Sequence, residues 1–481
     1  MISLLEIAER ARSGQRMDDK EWGLTLFKKL QDLTARHDLR QEGPEKFYEV
    51  DNDYADSLFQ AAVDLLVETG VYCTTTHRVI RFSEDEVREA AREAPSEVKV
   101  GEGHDQRAFR KRELEDHRPP SIDVSGHGPW SDEMIPLPIV VRELTRHRRV
   151  DLIEGYMFAM IDGHEVHGKP LCGYAARRAI ERIRDGLMMS GRGGLAVTYY
   201  PVKTDAFSLV APLDHERGLR RTDGVLLTIL PDLTVEEDMI AAALVYNEWG
   251  CYSQCGGTGV GPFGGDVEGR MIESTVGPLA AWMVYRDTIL TAGGAGGQSS
   301  SARKGKSEET GRDSQREKGS EWRTFAVQKA LRRNTNQVYY AIVWGESTGL
   351  DDLISEEYLL RVALSSVRNT ILGNNFRLGT TNPPTFTSWV VEASDAAIKS
   401  NIKLEDYEEL AERVRKEKLK GELFPGDLPD KRMLIYENRW QEFMAASLKA
   451  YNWFKQKPSE EYLENEERAR KYLGDVGLDL L

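Results

Sequence analysis

Short apolar runs and longer amphipathic segments alternate through the middle of the chain. Runs at 121–124, 151–156, 194–199, 224–230, 251–256, 337–344 and 371–376 sit among Gly, Pro, Asn and Asp and read as seven strands. Between them apolar residues return at helical spacing, as at 174–189 and 235–249. An eighth strand fits within 282–291, where the period does not separate strand from helix. Strand and helix in alternation signal a parallel sheet, and the length favours closure. The expected fold is therefore α/β, a (β/α)₈ TIM barrel over 119–400.

The flanks read differently. Residues 1–118 predict a mostly helical lead-in with a small β element: a helix at 53–68, two short strands within 71–82, and a further strand at 96–100. Ser83-x-x-Glu86 has the form of a capping box ahead of 87–94, which Pro95 ends. Within the barrel, 293–321 holds Gly, Ser and mixed charge with no apolar side chain larger than Ala, and is expected to be a mobile surface insertion. Beyond it, 401–481 contains charged amphipathic stretches at 404–420 and 432–455, expected as helices on the outside of the barrel or at an oligomer interface. A homo-oligomer is expected, because closed symmetric assemblies are common for barrels.

The sharpest local signal runs from Met188 to Pro201. A helix end passes through Gly191, Gly193 and Gly194 into the apolar strand Leu195-Ala196-Val197, and Pro201 stops the ladder. Thr198, Tyr199 and Tyr200 thus fall at a strand's carboxyl end, where ligands collect in alternating α/β proteins.

Charge and composition narrow the function. A formal net charge of −15 over 481 residues disfavours nucleic acid and anionic membrane as partners, and suits a protein partner or a small cation. Four cysteines do not make a disulfide framework in so long a chain. Residues 1–13 form an amphipathic pattern rather than the apolar core of a signal peptide, and no run is long enough to span a bilayer, so the expected location is cytoplasmic.

Several motifs, colinear along the chain, carry a resemblance. Gly70-Val71-Tyr72-Cys73-Thr74-Thr75-Thr76-His77-Arg78 with Phe82-Ser83-Glu84-Asp85-Glu86 is the longest. Others are Arg110-Lys111-Arg112, Phe263-Gly264-Gly265 with Ile272-Glu273-Ser274-Thr275, Trp344-Gly345-Glu346-Ser347-Thr348, Gly373-Asn374-Asn375, Val391-Glu392-Ala393-Ser394 and Ser459-Glu460-Glu461-Tyr462. With the Gly-rich turn before Thr198, they make the chain resemble the monomethylamine:corrinoid methyltransferases over nearly its full length. The resemblance implies transfer of a methyl group from a small methylated amine to the cobalt of a partner corrinoid protein. No tightly bound cofactor is expected, because nothing here resembles the Asp-x-His-x-x-Gly signature of a cobalamin-binding domain.

The relatives capture the amine with pyrrolysine, which this chain lacks. Its position falls on Thr198, or on Tyr199 if the turn is one residue longer, and neither side chain is an electrophile. A family glutamate on the next strand falls on Leu226; a second matches Glu273. The family's glutamine and tyrosine fall on Asn375 and Arg377. The resemblance therefore implies Glu273, Thr198 and Tyr199 as catalytic candidates, with imine chemistry lost. A donor that already carries positive charge, such as a quaternary ammonium, a betaine or a sulfonium, leaves as a neutral molecule and needs no covalent adduct. Tyr200, Trp344 and Glu346 suit such a cation, Asn375 joins the binding candidates, and Arg377 suits a substrate carboxylate.

Structural roles compete at each position. Helix capping fits Glu273 beside Ser274 and Thr275, core packing fits Trp344 and the tyrosines, and an ion pair with a structural acid fits Arg377. Cys251-x-x-x-Cys255 and His164-Glu165-Val166-His167 each offer two zinc ligands at unspecific spacing, and no metal is assigned to them. His77 fits a hydrogen-bonded structural role, with docking of the corrinoid protein as the functional option. The basic run Arg142, Arg146, His147, Arg148 and Arg149 fits a solvated helix face or a surface for an acidic partner. Two other functions stay open: a catalytically silent paralogue that binds the corrinoid protein, and a zinc-dependent barrel enzyme.

Overall fold

The computed structural model describes residues 2–125, 137–158, 160–167, 169–201, 204–229, 232–255, 266–291, 313–343, 356–378 and 384–417. Eight parallel strands close into a barrel with helices around it. They are β1 (Ile122–Ser125), β2 (Val150–Tyr156), β3 (Ala196–Tyr200), β4 (Gly224–Leu226), β5 (Tyr252–Cys255), β6 (Asp287–Thr291), β7 (Val338–Val343) and β8 (Asn375–Leu378). Neighbours in the barrel are neighbours in sequence, and β8 returns to pair with β1.

Ahead of the barrel come helices α1 (Leu4–Ser13), α2 (Asp19–Arg36), α3 (Asn52–Thr69) and α4 (Glu84–Glu93). The capping box that opens α4 is complete: Ser83 Oγ accepts from the Glu86 N–H at 3.3 Å, and the Glu86 carboxylate accepts from the Ser83 N–H at 2.9 Å. Both strands expected within 71–82 form, as the antiparallel pair Val71–Cys73 and Arg78–Ile80, and a third, Thr234–Val235, pairs in parallel with Val71–Cys73. Glu97–Val100 is also a strand.

Around the barrel lie α5 (Leu137–Thr145), α6 (Lys169–Met189), α7 (Ala206–Val210), α8 (Glu237–Trp249), α9 (Val267–Tyr285), α10 (Asp313–Asn334), α11 (Glu356–Ile371) and α12 (Pro384–Lys399), followed by α13 (Leu404–Glu417). By internal contacts the chain divides into two compact units. One joins residues 1–98 to 225–340, and the other joins 99–224 to 341–481. Within the first unit α3 and α10 both pack on α9.

That packing explains the ambiguous eighth strand. Every residue of α9 from Met271 to Tyr285 is buried, so the helix has no polar face to mark its period. Helix gives way to strand at Arg286, in the left-handed region at φ 60°, and β6 begins one residue later. Other boundaries differ from the sequence expectation as well: the strand expected at 224–230 is Gly224–Leu226, and the one expected from 194 starts at Ala196. The last strand starts at Asn375 rather than 371, because Gly373 takes φ 69° with the Glu113 carbonyl only 2.2 Å from where a Cβ would stand. Residues 313–321, read as part of a mobile insertion, begin α10, while 293–312 and the helix expected at 432–455 lie outside the described residues. Among the described residues no helix is long and apolar enough to cross a membrane.

Candidate active site

Strand register sorts the residues of the second unit into two faces. Arg377 lies beside Asp123, Asp123 beside Leu152, and Glu154 beside Thr198. Tyr156 lies beside Tyr200 in the same ladder. Side chains alternate along a strand, so Asp123, Glu154, Thr198, Tyr200 and Arg377 share one face. The opposite face includes Gly155, whose missing Cβ would stand 2.0 Å from Ile183 of α6. Gly155 therefore faces the helix layer, and the set containing Glu154 and Thr198 faces the barrel interior.

Across that interior, the Arg377 guanidinium donates to Glu154 and lies 5.9 Å from the Tyr200 ring centroid. The two charged side chains are 3% and 0% exposed, which makes this a fully desolvated ion pair. A guanidinium is suited to such a place because it is weakly hydrated and presents a planar donor set that also stacks on aromatic faces. Sequence reasoning missed Glu154 and Asp123. Their signal was an acid inside a run that the barrel must bury, in Leu152-Ile153-Glu154-Gly155 and Ile122-Asp123-Val124.

The three residues at the end of β3 separate accordingly. Thr198 and Tyr200 face inward. Tyr199, the register partner of Gly155, faces the helix layer instead, and Cys172 of α6 is among the charges it senses. It is fully buried with an unpartnered hydroxyl, and burial drives its pKa far above the usual tyrosine value. Asn375 stands at the start of β8, at the amino-terminal end of the barrel. Its side chain accepts from the Ser121 N–H at 3.1 Å and donates to the Arg110 carbonyl at 3.0 Å, so it fastens a backbone corner there.

Glu273 belongs to the first unit and to the second turn of α9. It is 1% exposed, and neither carboxyl oxygen has a hydrogen-bond partner among the described residues. Met271 of the same helix reaches the Tyr54 hydroxyl of α3 at 3.9 Å; two residues on, at about 100° per residue, Glu273 is turned well away from α3. It senses Asp232, in the loop that follows β4. Desolvation pushes its pKa up to about 8; Arg270 works against the rise and Asp232 adds to it. Helix capping does not account for this side chain, since Asp266 caps α9 by accepting from the Gly269 N–H at 2.8 Å. Leu226, where the family resemblance expects an acid, ends β4 and is buried.

Trp344 and Glu346 lie outside the described residues. Of the zinc candidates, His164 and His167 are exposed while Cys251 is buried just before β5, and among the described residues no group of three His, Cys, Asp or Glu side chains is placed to hold a metal ion. His77 takes φ 53° in the turn between two short strands, and its Nδ1 meets the Tyr72 hydroxyl at 3.0 Å. From the basic run, Arg149 pairs with Asp395 at 2.8 Å.

Comparison with known proteins places this geometry in context. A family model described as monomethylamine methyltransferase MtmB matches residues 2–289. The chain is similar to monomethylamine methyltransferase MtmB2 of Methanosarcina acetivorans and to MtmB of Methanosarcina mazei. Each is 28% identical over 240 residues, which cover 50% of this chain and 52% of the relative. The chain thus spans about half the length of the relatives it matches. Among solved structures it is similar to the hydroxylamine complex of MtmB, at a TM-score of 0.72, and to the Methanosarcina barkeri monomethylamine methyltransferase, at 0.69. Both are 19% identical, and the superpositions cover 99% of this chain and 98% of the other, a likeness of fold.

Proposed function

The chain belongs to the monomethylamine methyltransferase MtmB family, and from that premise we propose that it transfers a methyl group from a small methylated ammonium compound to the cobalt of a partner corrinoid protein. The donor is of the monomethylamine type or a quaternary amine. The resemblance implies that the relatives' electrophile falls on Thr198 or Tyr199 and its acidic neighbour on Leu226, none of which can capture an amine covalently, so on this reading the donor is held by charge and packing. In the transfer the carbon–nitrogen bond breaks with its electron pair going to nitrogen, while cobalt(I) supplies the pair for the new bond. A quaternary donor then leaves as a neutral amine.

Glu273 carries this reading. A buried carboxyl that no group among the described residues satisfies is costly unless a ligand or a proton satisfies it, and its raised pKa, about 8, favours the protonated form near neutral pH. Protonated, it can supply the proton that a departing primary or secondary amine needs; ionised, it can receive an ammonium. The remaining catalysis is positioning of the methyl in line with its acceptor.

A panel of methylated amines, betaines and sulfonium compounds, incubated with the protein and reduced cobalamin and followed optically for methylcobalamin, tests the proposal. At least one donor should turn over, and where that donor leaves as a primary or secondary amine that needs a proton, Glu273→Gln should lower kcat by about 100-fold or more. Turnover with none would favour the silent paralogue, a reading supported by the Arg377–Glu154 pair, which already neutralises inward charge beside Thr198. In that case the corrinoid protein should still bind.

A further inference from the structure

One loop of the first unit is held by contacts from far away in the sequence. It leaves the carboxyl end of β4, beside β5, where the Leu227 N–H donates to the Gln254 carbonyl at 2.9 Å. At its far end Leu233 is buried yet takes φ 54°, a left-handed conformation that a residue with a side chain rarely adopts and that persists only where its surroundings impose it. The surroundings here are specific. The Trp22 indole of α2 donates to the Asp232 carbonyl at 2.8 Å, and the Tyr72 and Thr74 N–H groups donate to the Leu233 and Val235 carbonyls at 2.9 Å each. Thr234 Oγ1 donates to Asp232 Oδ1 at 2.6 Å, so the carboxylate is oriented as well.

The helix that holds this loop also holds α9. Further along α2, Gln31 donates at 3.3 Å to the side chain of Asp266, the N-cap of α9, and Arg40 joins it at 3.0 Å. From Trp22 to Gln31 the axis of α2 covers about 13 Å, a fixed span between the two attachments. Glu273 lies in the second turn of α9, which ends just before β6 begins, so its first turns lie at the carboxyl end of the barrel with the loop. Among the described residues the charges acting on Glu273 are Arg270, on its own helix, and Asp232. Charged groups on helices packed against α9 are paired with one another, as Glu86 of α4 is with Arg10 of α1 and Asp56 of α3 with Arg333 of α10. A guanidinium near a buried acid favours its ionised form, and a second carboxylate counters that.

On the methyl-transfer reading given above, we propose that the loop after β4 serves the reaction: Asp232 offsets Arg270 so that Glu273 remains a proton donor, and Trp22 is the positioning residue that fixes Asp232 in place.

Infrared spectra of the full-length protein over a series of pH values, with those of Glu273→Gln subtracted, isolate the protonated Glu273 carboxyl. Asp232→Asn keeps an acceptor for Thr234 at a half-buried position and should lower the midpoint of that band, so that its intensity at pH 8 falls about two-fold. Asp232→Glu should restore most of it. Trp22→Phe retains a ring to stack on Tyr72, 5.4 Å away between centroids, but loses the indole donor, and should lower the midpoint by less. Its effect should vanish when Asp232 is already Asn, because a residue that acts through another is not additive with it. A merely structural role for Trp22 would change the band equally in both backgrounds. An unchanged midpoint in either single variant would overturn the proposal, as would a Trp22→Phe effect that persists beside Asp232→Asn. These spectra need neither donor nor cobalamin, so the inference and the reading beneath it can fail separately. Shifted midpoints without methylcobalamin from any donor would remove the methyl-transfer reading and leave the control of Glu273 standing. Turnover of a primary or secondary amine with unshifted midpoints would do the opposite.

Discussion

Two buried glutamates, one in each unit of the molecule, are treated in opposite ways. Glu154 is given a guanidinium and an aromatic neighbour on the inward face of a barrel strand. Glu273, on a helix that is buried along most of its length, is given no hydrogen-bond partner among the described residues, and burial is the main influence on its protonation. A paired acid resists any change that removes one charge of the pair. An unpaired acid is instead tuned by pH and by whatever ligand reaches it. The first arrangement suits recognition of fixed charge, and the second suits proton handling.

The largest effect expected from this contrast comes from Glu154→Leu, which takes the buried carboxylate away from the Arg377 guanidinium. Urea unfolding should show a loss of roughly 3–5 kcal/mol, with most of it recovered when Arg377→Met is added. A loss within experimental error would mean that the pair is not desolvated in solution. Next comes the pH dependence of Glu273. Its folded pKa, about 8, lies above the ordinary 4.5, so between those values the folded state holds a proton that the unfolded chain releases. Its contribution is therefore fully present below about pH 4.5 and is lost as pH rises towards 8. Glu273→Gln should flatten this part of the stability profile and stabilise the protein most at alkaline pH, as thermal unfolding at a series of pH values would show. A variant whose profile runs parallel to that of the parent would refute the assignment. The smallest effect belongs to Tyr199→Phe. Removing a buried hydroxyl that has no partner should leave stability unchanged or raise it by about 1 kcal/mol, with donor binding untouched. A large loss of donor binding would place Tyr199 in the site after all.

Much of the fold was legible because barrel strands and their helices carry different periods. Seven strands announced themselves by short apolar runs, and the eighth hid behind α9, whose uniform burial erased the pattern that marks a helix. The capping box at Ser83 and Glu86 was readable because it depends on neighbours in sequence alone. The site was less legible. Thr198 and Tyr199 look alike at a strand end, and only the register with Glu154 and Gly155 turns one inward and the other towards α6. Arg377 was readable as a binder of carboxylate, but the carboxylate it holds is that of Glu154, more than two hundred residues away. Asn375 read as a binding residue from its motif, whereas its amide is engaged by backbone at the foot of the barrel.

The order of elements, the closed parallel sheet and the absence of a resident electrophile at Thr198 follow from the sequence, since each depends on local spacing and residue type. Which acid acquires a guanidinium and which is left alone was decided by tertiary structure. Desolvation and pairing depend on what strands from distant parts of the chain bring together, and no local pattern encodes that.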